Sequence, residues 1–274
     1  MEGGSKMKLR RLNHLLYRYI LISFVFLILY LPNIFLCRTQ NLNLETYYLL
    51  NFGGFYLSKS FDIVEVIKFL VPNLFIIYMF SEIMRSECII NYVYVFIRTS
   101  KKQKWLFQIT IRLFIYIATL YIWLFLLTLI IGKFAGLPLE LDSFFKMILP
   151  LYFLNVLTIF EFVFLQNILS MKNGSALAFI LIVILYAIPL IAVSLLQQIF
   201  SLNIILYFIL PANQMYLWHA DRINISEAES FFSSPLSGFF LLNSLLILFG
   251  FIVVSYHIYR YRFIRKDMIE LIKE

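Results

Sequence analysis

The chain has 274 residues, of which 62% are apolar, 19% aromatic and 14% charged, and its formal net charge is +8. A soluble domain is nearer half apolar and a quarter charged, so a soluble fold is excluded, together with disordered, collagen-like, coiled-coil and disulfide-scaffold chains. The apolar runs are long and continuous rather than alternating, which excludes a membrane β-barrel and leaves an all-α, polytopic membrane protein.

A spanning helix needs about 20 residues, and six of them use roughly 120. What remains suffices for loops, tails and helix extensions but not for a large soluble domain. Residues 1–18 read as an amphipathic start. Tyr19 to Cys37 is uncharged between Arg18 and Arg38 and forms the first span. Pro32-Asn33 near its end offers no small-residue cleavage site, so it reads as a retained helix rather than a signal peptide. The second span is the weakest. Only Phe69 to Ser81 is uncharged, and extending it back to Val64 brings in Glu65 and Lys68, spaced i,i+3 so that they can pair on one face. Leu113 to Gly132 is the third span, Met147 to Leu169 the fourth with Glu161 inside it, Ser175 to Gln197 the fifth, and Leu236 to Tyr259 the sixth. The six-span body thus runs over 19–259, followed by a basic tail at 260–274.

Charge orients the spans. With a cytoplasmic start, the inside segments 1–18, 81–112, the turn at Lys172 and 260–274 hold 5, 6, 1 and 5 of the 23 Lys and Arg, leaving 6 outside. Both termini are therefore expected in the cytoplasm. The basic residues mark topology rather than a nucleic-acid surface, which would need them clustered on one folded face. Between Lys172 and Asp221 lie 48 uncharged residues, too many for one crossing. A seventh span there would put the basic tail outside. Pro211 interrupts a spanning helix, and Asn203, Asn213, Trp218 and His219 suit an interface. The stretch Ser201 to Trp218 is expected to be an external hairpin that dips into the outer leaflet and returns.

Few motifs carry chemistry. Cys37 and Cys88 fall on opposite sides of the membrane and cannot pair. His14, His219 and His257 are isolated, and no metal-ligand spacing, phosphate-cradling glycine loop or nucleophile elbow occurs. Gly132 and Gly136 match a small-xxx-small pattern, but at a helix end with Lys133 inside it, which argues against a packing role. Glu161 is the one ionisable residue well inside a span, where a charge costs about 2.5–3.5 kcal/mol unless paired, hydrated or neutralised. Asn155, Thr158, Glu161 and Gln166 cover one broad sector of that helix. They line a polar pathway or contact a charged substrate, or else form a packing network near the helix end. Arg112, Tyr116, Thr119 and Trp123 make a stripe along the third span, read as an aromatic packing seam with Arg112 snorkelling to headgroups.

The segment Ser81 to Gln108 is the most informative. Charged Glu82, Arg85 and Glu87 precede an apolar and aromatic run from Cys88 to Ile97, too short to cross. Arg98, Lys101, Lys102, Lys104 and Trp105 follow immediately before the third span. A short interfacial helix fits. It either hugs lipid or docks a soluble partner, with Tyr92, Val95 and Phe96 as its apolar anchors at i, i+3 and i+4.

In this layout residues 7 to 266 resemble the permease subunit of a type-two ATP-binding-cassette (ABC) exporter. Two loose motifs carry the resemblance. One is the apolar turn, Arg, polar residues and basic-aromatic step of Ile97-Arg98-Thr99-Ser100-Lys101-Lys102-Gln103-Lys104-Trp105-Leu106. The other is the Pro-Asn step of Leu210-Pro211-Ala212-Asn213-Gln214. The resemblance implies a coupling helix between spans two and three, with Glu87, Tyr92, Val95, Phe96, Arg98, Lys101, Lys102 and Trp105 meeting a separate ATPase. It places ATP and Mg²⁺ on that partner and no cofactor on this chain. It also implies a second permease, identical or sister, and export of an amphipathic peptide or lipid-like substrate, in a group that includes antimicrobial-peptide resistance, across a bacterial cytoplasmic membrane. The weak second span departs from the pattern. The competing readings are an intramembrane enzyme, which needs convergent carboxylates or histidines at one depth where Glu161 stands alone, and a membrane assembly or sensor subunit without transport.

Overall fold

The computed structural model describes residues 2–55, 62–87, 102–196, 203–222, 232 and 235–265. Tyr92, Val95, Phe96, Arg98 and Lys101 lie outside the described residues, as does Cys88. Among the described residues all regular structure is helical. The helices are α1 (Glu2–Thr39), α2 (Leu44–Phe52), α3 (Ile63–Met79), α4 (Lys102–Phe134), α5 (Leu141–Asn173), α6 (Ser175–Leu196), α7 (Asn203–Leu206) and α8 (Leu241–Arg265), with 3₁₀ turns at Leu210–Gln214 and Tyr216–Trp218.

Six stretches are long and apolar enough to cross a membrane: Asn13–Thr39, Ile63–Glu87, Lys102–Phe134, Leu141–Asn173, Ser175–Leu195 and Leu241–Tyr261. The chain is a multi-pass helical membrane protein. The doubtful second span is present. Asp62 caps it by accepting a hydrogen bond from Val64 N at 2.9 Å, and Lys68 pairs with Glu65 at 2.9 Å. Pro32, Pro72, Pro150 and Pro189 all sit inside helices, which neighbouring helices make tolerable in a membrane.

Helix α5 is the axis of the bundle. Of its most apolar window 61% is buried, against 11% for α8, which lies on the periphery. The outward faces of the spans carry exposed Ile, Leu and Phe, such as Ile20, Phe24 and Ile28 on α1 and Leu242, Leu246 and Phe249 on α8. That is the surface a helix presents to lipid rather than to water.

Composition gave no sign of α2. It is a nine-residue helix capped by Asn43, whose side chain accepts from Thr46 N at 3.0 Å, and nearly all of it is buried. It packs at the bundle end that holds the α4–α5 turn: Leu44 N donates to Pro138 O at 2.9 Å and Tyr48 OH to Phe125 O at 2.5 Å. Gly132 takes part in this packing, since a Cβ there would run into Leu44, whereas Gly136 turns the chain at φ +78° in open space. The small-residue pattern is therefore half a packing site, made against α2 rather than against another span.

The chain leaving α2 forms a seat for residues 215–218. Gly53 O accepts from Leu217 N at 3.0 Å and Phe55 O from Trp218 Nε1 at 2.8 Å. Between them Gly54 adopts φ +94°, and a Cβ would strike Met215. Gly54→Ala is thus expected to destabilise by about 1–3 kcal/mol through strain and overpacking, while Gly250→Ala, with open space around it, is neutral. Thermal unfolding of the two variants in nanodiscs checks this.

Candidate functional site

Between α6 and α8 the chain does not form a continuous helix. It makes the short α7, then the 3₁₀ turn Leu210–Gln214 with Pro211 in its first turn, then the turn Tyr216–Trp218. Residues 211–219 are all buried, so this stretch enters the bundle. Asn213 holds its shape by donating to Tyr207 O at 2.9 Å and Ile209 O at 3.2 Å.

Gln214 is the tip, and its amide is fully engaged. Its Nε2 donates to Asn155 Oδ1 of α5 at 2.8 Å and to Asn73 Oδ1 of α3 at 3.3 Å, and its Oε1 accepts from Tyr186 OH of α6 at 2.5 Å. Tyr121 OH of α4 donates to the same Asn73 oxygen at 3.2 Å. Asn155 Nδ2 reaches Phe52 O at the end of α2 at 3.1 Å. Asn73, Tyr121, Asn155 and Tyr186 each stand close to the middle of their helices. The hairpin therefore reaches the mid-depth of the bundle and ties four spans together there. The cluster offers amides and hydroxyls but no nucleophile with a base and no metal-ligand set. Its chemistry is that of holding and binding.

A second polar cluster lies at the other end of the bundle, where the second span breaks. Residues 80–82 leave helical geometry before a short helical turn at 83–87. Asn167 of α5 clamps the break: its Nδ2 donates to Phe80 O at 2.7 Å and its Oδ1 accepts from Met84 N at 2.9 Å. Ser170 adds a bond to Ser81 O at 3.3 Å. The Arg18 guanidinium stands 5.7 Å over the Phe80 ring. Arg112 pairs with Glu87 at 3.0 Å. The rest of its stripe is a seam on α1, with Tyr19 OH 2.6 Å from both Tyr116 O and Thr119 Oγ1, and Trp123 Nε1 donating to Ser23 Oγ at 2.9 Å.

Of the segment singled out for docking, Glu87 closes the 83–87 turn, and Lys102 and Trp105 belong to the first turns of α4 rather than to a separate helix. The polar sector of α5 is divided among partners. Asn155 joins the Gln214 cluster, Glu161 Oε1 accepts from Ser255 of α8 at 2.5 Å, and Gln166 Nε2 bridges the α5–α6 turn to Ser175 O at 3.3 Å. Thr158 Oγ1 and Glu161 Oε2 have no hydrogen-bond partner among the described residues.

His219 is not isolated. It is fully buried, stacked on Phe239 at 4.3 Å, with Nε2 2.9 Å from Ser244 Oγ at the start of α8. Burial lowers its pKa to about 4, the nearby Asp221 opposing. Asp221 itself caps α8, accepting from Leu241 N at 2.9 Å. Glu45, outside the spans, accepts from Glu140 N at 2.9 Å, and burial raises its carboxyl above the ordinary range.

Gln214, Asn73, Tyr121, Tyr186 and Asn167 escaped the sequence reading. The available signal was an amide inside an apolar window, which rarely occurs without a partner. Among the described residues no group of three or more His, Cys, Asp or Glu could hold a metal ion. No family model, curated protein or solved structure matches the chain.

Two outcomes test this description. Gln214→Leu leaves Asn73, Asn155 and Tyr186 short of a partner and is expected to destabilise by about 1–3 kcal/mol. In a double-mutant cycle with Asn155→Leu, the coupling energy should be about 0.6–1.7 kcal/mol, the range for hydrogen bonds between spans. His219 is neutral in the closed hairpin and has an ordinary value of 6.5 when released. Between those two values the released state binds the proton and the closed state does not, so closure is fully favoured above 6.5 and weakens as pH falls towards 4. Hydrogen exchange over 203–222 should accelerate, relative to a pH-corrected intrinsic rate, between pH 7 and pH 5. His219→Gln should abolish that dependence.

Proposed function

We propose that the chain is the permease subunit of an ATP-driven exporter, working with a separate ATPase and a second permease, identical or sister, to move an amphipathic substrate across a bacterial membrane. The observation that carries the reading is the anchoring of the described start of the 81–105 segment, residues 80–87, to α5 and α4. An ATPase can transmit force only through an element that the bundle grips. Asn167 holds the entering strand of chain through Phe80 and Met84, and the Glu87–Arg112 pair staples that strand to α4. In the sequence, the segments flanking this end hold most of the Lys and Arg, the pattern expected when both termini lie in the cytoplasm. The hairpin that fills the middle of one bundle argues that a single chain has no open path of its own. A path would form between two permeases.

Co-purification of an ATPase with the tagged chain from its native membrane tests the reading, and its failure would overturn it. Within the complex, Phe96→Ala should reduce ATPase stimulation far more than Lys101→Ala, since loss of a buried Phe costs about 3–5 kcal/mol and an exposed ion pair about 0–1 kcal/mol. Arg112→Glu should uncouple, and Glu87→Arg in the same chain should restore coupling. In a Cys37→Ala, Cys88→Ala background, a membrane-impermeant thiol reagent applied outside should label a cysteine at Asp142 and miss one at Lys266. Labelling at Lys266 would reverse the topology.

A further inference from the structure

Glu161 is the carboxylate that the bundle leaves uncompensated. It lies twenty residues into α5 and is 1% exposed. Both ion pairs among the described residues lie elsewhere, between Lys68 and Glu65 and between Arg112 and Glu87. Arg260 of α8, five residues beyond Ser255, is spent on Gln103 at 2.8 Å. The hydroxyl of Ser255 meets one carboxylate oxygen, and the other has no partner among the described residues. One helical turn earlier, Thr158 is fully buried, and its hydroxyl is likewise without a partner among the described residues. Residues three apart on a helix are neighbours, with Cβ atoms about 5–6 Å apart. Three acceptors thus meet on one face of α5: two carboxylate oxygens and a hydroxyl.

The cover over them is thin. Ser255 is only partly buried and belongs to α8, the most weakly enclosed of the six spans. A neutral hydroxyl is a poor match for a carboxylate inside hydrocarbon, because it brings a dipole where a positive charge is wanted. A protonated amine supplies that charge together with up to three N–H donors, one for each acceptor.

We infer that Glu161 and Thr158 form the binding site for the ammonium group of a cationic, amphiphilic substrate, which displaces the Ser255 hydroxyl and lays its apolar part along the exposed outer side of α8 at Val254 and Ile258. The inference rests on the transport reading and names the substrate class for it. It also specifies a primary amine: a quaternary ammonium carries the charge but no N–H for Thr158, and an alcohol carries neither the charge nor enough donors.

The test uses the purified full chain in nanodiscs and needs no ATPase. Binding of radiolabelled dodecylamine is measured by scintillation proximity against empty nanodiscs, with unlabelled dodecylamine, dodecyltrimethylammonium and dodecanol as competitors. Dodecylamine should bind saturably, the quaternary analogue should compete more weakly, and dodecanol should not compete. Glu161→Gln should weaken binding about tenfold or more, as expected for a lost hydrogen bond to a charged group, and Thr158→Val should weaken it less. Ser255→Ala, which removes the competing hydroxyl, should bind at least as tightly as the wild type. Equal binding by Glu161→Gln and wild type, or equal competition by dodecanol, would overturn the site. Should Glu161→Gln fail to fold, weaker binding by Ser255→Ala or unchanged binding by Thr158→Val would do the same. A chain that co-purifies with an ATPase but shows no amine selectivity leaves the transport reading standing without this site. Amine selectivity without an ATPase does the reverse.

Discussion

A side-chain amide at the middle of an apolar helical bundle must find its hydrogen bonds within the protein, and the fold is arranged around one such amide, whose partners are all side chains. Gln214 arrives on a non-helical segment, so the backbone that delivers it also needs partners. The 3₁₀ turns satisfy part of that backbone internally, and the seat at 53–55 and the side chain of Asn213 satisfy more. Irregular backbone at membrane depth is stable only where protein encloses it. The enclosure here is α3, α4, α5 and α6, each contributing one polar side chain at its midpoint to an otherwise apolar surface. Remove the hairpin and Asn155 Oδ1 and Tyr186 OH lose their partners, while Asn73 keeps only Tyr121. Remove those groups and the tip of the hairpin loses its side-chain partners, leaving it held by the 53–55 seat and the start of α8. The arrangement stabilises only as a set, which is how partly satisfied networks differ from complete ones.

The same constraint explains why α5 is the axis. The second irregular point, the break at 80–82, is met by Asn167 and Ser170 of α5 just as the hairpin tip is met by Asn155. The most buried span therefore supports both departures from regular helix. Its flanks carry two further links: Glu161 to Ser255 of the peripheral α8, and Gln166 across the turn to α6. Bonds thus run inward from α5 to the two irregular segments, and one runs outward to the helix with least burial.

Six spans were legible because twenty-residue apolar runs and charged flanks leave little choice, and even the weak second span was readable from the i,i+3 spacing of Glu65 and Lys68. The broken hairpin was also readable, though the Pro211 argument was not what made it so. Four other prolines sit inside intact helices. What distinguishes 203–219 is its density of Asn, Gln, Trp and His, polar groups that a lone spanning helix would expose to hydrocarbon. The cross-chain bonds were not legible. Gln214 pairs with Asn73 across 141 residues, and no local periodicity encodes that. Helix α2 was missed because its Tyr and Leu resemble interfacial filler, and its burial depends on Gly132 leaving room beside Leu44. The Arg112–Glu87 pair was not legible because Glu87 sits in a turn that follows the helix break.

Mechanically, the two polar clusters are not independent. Asn155 and Asn167 are twelve residues apart on one unbroken helix, about 18 Å along its axis. A displacement of the 81–87 segment pulls on Asn167 through two short hydrogen bonds, and a packed helix moves as a rigid body more readily than it stretches. Asn155 must then move with it or release Gln214. Because Gln214 also binds α3 and α6, the cluster cannot follow α5 without loss of at least one of these bonds. Glu161 lies between the clusters, on the face that α8 covers loosely. Motion of α5 relative to α8 therefore strains the Ser255 bond in the same stroke that loads the hairpin. A force applied where the second span breaks would thus loosen the central plug and uncover the buried carboxylate together.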